Sequence, residues 1–189
     1  MQQLRMYRKV TKPEPYEINK DFEIIQCTEA TIDKWIEAAV GLTKEPWPKE
    51  KFVERMLGDH RVDYDHIYIA IEKATGKAAA TATSQIDDKH EDCMLHMVSS
   101  RDEYRGKGLG RAVCVKVLEQ MYNEGVTEMT LKTDEFRVAA ICLYLSLGFI
   151  PSFIDDTMES RWDGVMKGLG RTSYDALDMY GRLITRSIG

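Results

Sequence analysis

The stretch from Cys93 to Met121 constrains the fold more than any other part of the chain. An apolar run, Cys93–Val98 (CMLHMV), leads into a short polar loop, then three glycines (Gly106, Gly108, Gly110), with Leu109, Val113, Val117 and Met121 stepping every fourth residue. That spacing predicts an amphipathic helix ending near Asn123–Gly125, and the run before it predicts a central strand. A strand, a glycine loop and a helix in this order aim the unpaired N–H groups and the positive dipole end of the helix at whatever lies above the loop. Glycines let an anion approach that backbone closely, so Arg105–Gly110 reads as a phosphate cradle.

The flanking pattern gives the fold class. Lys12–Asn19, rich in proline and charge, reads as a lead-in loop before a strand over Phe22–Cys27. Thr28 or Thr31 can cap a helix that runs to about Val40 with Ile32, Trp35, Ile36 and Ala39 at helical spacing. The loop Gly41–Pro48 (GLTKEPWP) breaks the chain, and a second helix, about Lys49–Leu57, ends at Gly58. His66–Glu72 and Ala78–Ile86, joined by KATGK, read as a hairpin. A strand over Glu128–Thr133, a helix over about Val138–Leu147 and a strand over Gly148–Ile154 follow. Beyond Asp155 the pattern turns helical, with Met158, Trp162, Val165 and Met166 on one face and a further helix from Ser173. The expected class is α+β around one sheet.

Composition narrows the function classes. The chain's 189 residues, 43% of them hydrophobic, suit one globular domain. A net charge of −5 with 30% charged residues makes broad attraction to nucleic acid or anionic membrane unexpected. No run of about 18 apolar residues is present, and MQQLRMYRKVTKPEPYEINK lacks the apolar core of a secretory signal, so a cytoplasmic location is expected. Cys27, Cys93, Cys114 and Cys142 are scattered, with no CxxC, and read as buried thiols. No metal spacing links His60, His66 and His90, and no metal is expected.

Three nucleotide patterns compete for the glycine loop. The P-loop GxxxxGK[ST] is absent, because no Ser or Thr follows Lys107. The dinucleotide pattern GxGxxG fails at Arg111, where the third glycine belongs, although Asp134 near the end of the next strand suits it. The third pattern fits: Arg105-Gly106-Lys107-Gly108-Leu109-Gly110 matches [QR]xxGx[GA], the pyrophosphate signature of the GNAT acetyltransferase superfamily. Downstream, Ala140-Ile-Cys-Leu-Tyr144-Leu-Ser-Leu-Gly-Phe149 resembles that family's second signature, AIxLYxxLGF. The segment TDEFRVAAICLYLSLGFIP also resembles uncharacterised bacterial members described as similar to mycothiol synthase. The resemblance covers about Phe22–Ser152.

The resemblance implies a GNAT acyl-CoA N-acyltransferase fold: a central, mostly antiparallel twisted sheet flanked by helices, here with a C-terminal helical extension. Together with the helical pattern past Asp155, which the resemblance does not explain, this divides the chain into a lead-in (1–21), the transferase domain (22–155) and the extension (156–189). The resemblance implies acetyl-CoA as acyl donor, bound by Arg105, Gly106, Lys107, Gly108, Leu109, Gly110 and Arg111. A bulged strand at Met97 and Val98 would receive the pantetheine arm, and a backbone N–H near Val98 would polarise the thioester carbonyl. Ala140 would line the cofactor, and Tyr144 matches the tyrosine that assists the departing thiolate. Arg137 stands where many relatives have Asn, which suits a CoA phosphate better than a pantetheine amide. The general base is open between Asp92, His96 and a water chain; Asp92, Met94 and His96 share a face if strand alternation is unbroken.

The expected partner is a small-molecule, amino acid derivative or peptide amine, with no nucleic acid or membrane and a monomeric or homodimeric state. A CoA-binding regulatory module without turnover, or a dinucleotide-binding oxidoreductase, are the rival readings. The motif KGLGR recurs at Lys167–Arg171. There it follows a helix: Asp156-Thr-Met-Glu159 resembles a capping box, and Gly168 falls where a left-handed C-cap is needed, so the second copy reads as helix punctuation.

Overall fold

The computed structural model describes residues 2–189 and divides them into two compact units, residues 10–128 and residues 2–9 with 129–189. Elements are numbered along the chain from β1 (Leu4–Lys9), which belongs to the second unit.

The first unit holds β2 (Phe22–Gln26), α1 (Ile32–Thr43), α2 (Lys49–Phe52, continued by a π turn over Val53–Leu57), β3 (Ile67–Glu72), β4 (Ala78–Gln85), β5 (Met94–Ser100) and α3 (Leu109–Asn123). Its strands run β2-β3-β4-β5 and pair antiparallel, with Ile69 opposite Thr81 and Thr83 opposite His96. On one face Trp35, Ala38 and Ala39 of α1, with Phe52 and Met56, cover Ile67, Ile69 and Ile71. Trp35 meets the Phe52 ring at 4.8 Å and the Trp47 ring at 5.6 Å, so Trp47 is a packing residue. On the other face α3 buries Leu109, Val113, Val117 and Met121, the period read from the sequence, and Gln120 accepts a 2.6 Å hydrogen bond from Ser84.

The second unit holds β1, β6 (Glu128–Thr133, from Met129 onward), α4 (Val138–Ser146), β7 (Ile150–Ser152), α5 (Met158–Gly168), β8 (Ser173–Leu177) and β9 (Leu183–Ser187). Its order is β6-β1-β7-β8-β9. β1–β7 and β8–β9 pair antiparallel, and β7–β8 pairs parallel. Leu4, Met6, Phe149, Phe153, Met158, Trp162 and Met166 are buried in it.

Two sequence expectations change here. The lead-in is not wholly irregular: Leu4–Lys9 forms β1, which pairs with β7 through Arg5↔Ser152 and Met6↔Pro151. The helix expected from Ser173 is instead the β8–β9 hairpin. Tyr174 and Ala176 alternate inward, and the chain reverses at Asp178–Arg182, where Gly181 has φ +73° and the Asp178 carboxylate accepts from the Tyr180 and Arg182 amides. The extension is thus one helix followed by a hairpin. Tyr174 Oη donates to Asp163 of α5 at 2.8 Å, and Arg186 grips the same carboxylate at 2.7 and 2.6 Å.

α3, α4 and α5 end in the same way. Val126, Phe149 and Arg171 donate N–H to the carbonyls of Met121, Tyr144 and Met166, while Gly125, Gly148 and Gly170 take φ of +80°, +83° and +71°. This is the Schellman arrangement, which satisfies the last helix carbonyls and needs a left-handed residue. The left-handed glycine of the second KGLGR is therefore Gly170; Gly168 is the last residue of α5. The helix start also differs, because the Asp155 carboxylate, not Asp156, accepts from the Thr157 amide at 2.8 Å and hydroxyl at 2.5 Å. A Cβ at Gly168 meets nothing within 4 Å. Gly168→Ala should stabilise by about 0.4–1 kcal/mol, and Gly170→Ala should destabilise by about 1–2 kcal/mol. Denaturant unfolding of both variants tests the pair; equal signs would refute the assignment.

Candidate active site

The cradle segment leaves β5 through a short 3-10 turn, Asp102–Tyr104, and reverses twice at positive φ, +77° at Gly106 and +76° at Gly108. Gly108 is the N-cap of α3, and its carbonyl accepts the first helical bond from Ala112 N–H at 3.0 Å. The amides of Leu109 and Gly110 precede that bond and have no carbonyl one turn behind them. A side chain at Gly106 would meet nothing within 4 Å, whereas a Cβ at Gly108 would collide with the hydroxyl of Tyr16.

The basic side chains of the loop are all engaged. Arg105 is exposed and pairs with Asp102 at 2.6 Å. Lys107 Nζ lies 5.3 Å from the Phe22 ring and 5.1 Å from the Tyr104 ring, which meet edge to face. Tyr104 Oη donates to Glu72 at 3.0 Å, and burial pushes the phenol's pKa up. Lys107 therefore clamps the loop to β2 by cation–π attraction. Arg111 holds its guanidinium 5.5 Å from the Tyr16 ring centroid.

Upstream, β5 carries the bulge that the resemblance implies. The pairs Thr83↔His96 and Thr81↔Ser99 leave Met97 and Val98 together opposite Ala82. Met97 has φ +46°, a region where a non-glycine residue is strained, and its side chain packs against the cluster around Trp35. The bulge takes the backbone groups of Met97 and Val98 out of the regular ladder. His96 sits half-buried beside it. The hydroxyls of Thr83, its cross-strand partner, and of Ser99 are buried and make no hydrogen bond among the described residues.

Asp92 does not share that strand, which begins at Met94 rather than Cys93. Its carboxylate takes a 2.5 Å bond from Arg61 Nη1, and Arg61 is also fixed by Asp59 at 3.0 and 2.8 Å. The Arg61 hydrogen bond holds the Asp59 carboxyl down at about 2. These residues line an open groove of about 640 Å³ with Glu54, His60 and Asp87. Of the two side-chain candidates for base, His96 is at the bulge and Asp92 is in this separate groove.

The second signature lies in the other unit. Its ending, Leu147-Gly-Phe149, is the Schellman stop of α4, and it fixes Tyr144: the Tyr144 carbonyl accepts Phe149 N–H, and the two rings meet at 6.2 Å. Tyr144 is 6% exposed. Arg137 caps the start of α4 and donates from Nε to Asp134 at 2.9 Å, with its guanidinium over Phe136. Ala140 is half-buried in the first turn of α4. Cys27, Cys93 and Cys114 are buried as expected, but Cys142 is exposed, on the side of α4 away from Ile141 and Tyr144. Burial pushes the Cys93 and Cys114 thiols up to about 11 and about 12, which makes them poor nucleophiles. Three residues at these sites carry no local sequence signal: Tyr16, Arg61 and the Phe22 partner of Lys107. Among the described residues no helix is long and apolar enough to cross a membrane.

A model of the acetyltransferase (GNAT) family matches residues 29–149. The chain is similar to the ribosomal protein bS18-alanine N-acetyltransferase of Escherichia coli, at 27% identity over 128 residues, covering 66% of this chain and 80% of that protein. It is also similar to N-acetyltransferase 8B of Homo sapiens, at 27% identity over 119 residues, covering 57% of this chain and 52% of the relative. The chain spans about half the length of the N-acetyltransferase 8B relatives it matches. Among solved structures, a GCN5-related N-acetyltransferase from Sphaerobacter thermophilus superposes with a TM-score of 0.64 at 21% identity, over 80% of this chain and 49% of that one. The E. coli S18-alanine N-acetyltransferase superposes with a TM-score of 0.55 at 23% identity, over 67% of this chain and 76% of that one. Both show the same fold.

Proposed function

Because the chain belongs to the GNAT family of acetyltransferases, we propose that it is a cytoplasmic, monomeric or homodimeric N-acetyltransferase that moves an acetyl group from acetyl-CoA directly to an amine. Residues 22–155 form the transferase domain in this reading. The acceptor is a small molecule, an amino acid derivative or a peptide; the similarity to an enzyme named for a protein alanine supports keeping a peptide amine in that set.

The observation that carries the reading is the continuity of bulge, double-glycine reversal and helix N-terminus from Met97 to Gly110. Acetyl-CoA brings its acyl group as a thioester, ready for attack by an amine. The amides at the start of α3 bind pyrophosphate oxygens, and Gly106 leaves open space beside them. The Val98 N–H, displaced from the ladder, polarises the carbonyl under attack. His96 accepts the proton of the amine, directly or through water held by the Thr83 and Ser99 hydroxyls. Asp92 is the less suited of the two, because its carboxylate is bonded to Arg61 in the separate groove and lies outside β5. Tyr144 assists the departing thiolate, and Arg137 serves a CoA phosphate.

Thermal or denaturant stability with CoA tests the reading. At a hundredfold excess over Kd, CoA should stabilise the protein by about 2.7 kcal/mol. A transition unmoved by millimolar CoA would sink the proposal, and binding without acetyl-CoA consumption across an amine panel would leave a regulatory module. In the same assay His96→Ala should remove the rise of kcat/KM with pH; loss of that limb in Asp92→Asn instead would make Asp92 the base.

A further inference from the structure

The lead-in between β1 and β2 crosses to the cradle without forming helix or strand. It is anchored at one end by Val10 N–H to the Thr127 carbonyl at 2.8 Å and at the other by Phe22 N–H to the Asn19 carbonyl at 2.9 Å. Pro13 and Pro15 stiffen the stretch between these anchors. Its one aromatic side chain, Tyr16, reaches α3. Tyr16 Oη lies 3.4 Å from the Gly108 carbonyl, to which it donates, and it rests where a side chain at Gly108 would stand. Its ring is faced by the guanidinium of Arg111 at 5.5 Å. Tyr16 thus packs on the N-cap of α3 and holds the adjacent arginine over its own ring. Two exposed carboxylates, Glu14 and Glu17, flank it and oppose the approach of phosphate. The whole segment precedes residue 29, where the family match begins.

We propose that residues 10–19 form an autoinhibitory strap: Tyr16 closes the phosphate cradle in the free protein, and CoA must displace it. The inference rests on the cradle being the CoA site. The apparent Kd equals the intrinsic Kd divided by the fraction of open molecules, so a strap closed in about nine molecules of ten weakens CoA about tenfold. CoA binding in turn releases the strap, since a ligand that binds the open state alone shifts the population toward it.

Calorimetric titration of CoA into wild type, Tyr16→Ala and Tyr16→Phe tests the closure. Tyr16→Ala should bind CoA about threefold to tenfold more tightly, and Tyr16→Phe, which keeps the ring and loses the hydroxyl, should tighten less. Unchanged or weaker binding by Tyr16→Ala, with wild type binding normally, overturns the strap and leaves the acetyltransferase reading standing. Silence from both proteins overturns both. A second measurement needs no variant: cleavage of wild type after Glu17 by a Glu-specific protease should be faster with CoA than without it. Protection of that bond by CoA would mean that Tyr16 closes over the ligand, and the strap as proposed would be wrong.

Discussion

Replacing Tyr144 with phenylalanine should lower kcat by about tenfold to a thousandfold while leaving acetyl-CoA affinity within about twofold of wild type. The substitution removes one hydroxyl and keeps the ring. The ring's structural duty is visible: it lies 6.2 Å from Phe149, and the Tyr144 carbonyl takes the Phe149 amide in the turn that ends α4. Phenylalanine preserves both contacts, and the melting temperature serves as the control for the helix end. A phenol whose reference pKa is near 10 can pass a proton to a departing thiolate or stabilise it by hydrogen bonding, and that help acts on the chemical step alone. Single-turnover rates separate this step from product release. Unchanged kcat would assign Tyr144 wholly to packing.

Replacing Gly108 with valine should weaken acetyl-CoA by at least about tenfold and destabilise the fold by about 1–2 kcal/mol. Two causes act at the same atom. The backbone at φ +76° lies where a β-branched side chain is strained, and the added Cβ would strike Tyr16 Oη. Strain at the N-cap disturbs the amides that open α3, and the side chain fills the space an anion would approach. Gly106→Ala is the matched comparison: φ is +77°, yet a Cβ there meets nothing within 4 Å, so it isolates the backbone penalty. The double variant Tyr16→Ala with Gly108→Val removes the collision and leaves the cradle defect. If acetyl-CoA binding returns to normal in the double variant, the side chain at Gly108 does not obstruct the ligand and the loop is not the phosphate site.

These two positions also mark what local pattern can reveal. Leu109, Val113, Val117 and Met121 specify α3, because every fourth residue of a helix returns to the same face. The hairpin of β3 and β4 was legible from the alternation of Ile67, Ile69 and Ile71, since strand side chains alternate between faces. The two KGLGR copies were separable by their flanks, because a glycine before an apolar period opens a helix and one after it closes a helix. The choice of Gly170 over Gly168 was not legible. Both follow the apolar face of α5, and the end was decided by which carbonyl the Arg171 amide reached.

The sequence by itself determined the strand, glycine loop and helix of the cradle, the hairpin beside it and the family the chain belongs to, because each depends on residues a few positions apart. Tertiary structure decided the rest. Leu4–Lys9 is a strand because β7, remote in sequence, supplies its partners, and the segment after Ser173 is a hairpin because Asp163 of α5 anchors Tyr174 and Arg186. Asp92 is held away from the strand by Arg61, 31 positions earlier, and Tyr16 lies on Gly108, 92 positions later. Periodicity reports which face a residue turns toward the core. It carries no record of which distant group will meet it there, since that depends on how the whole chain closes on itself.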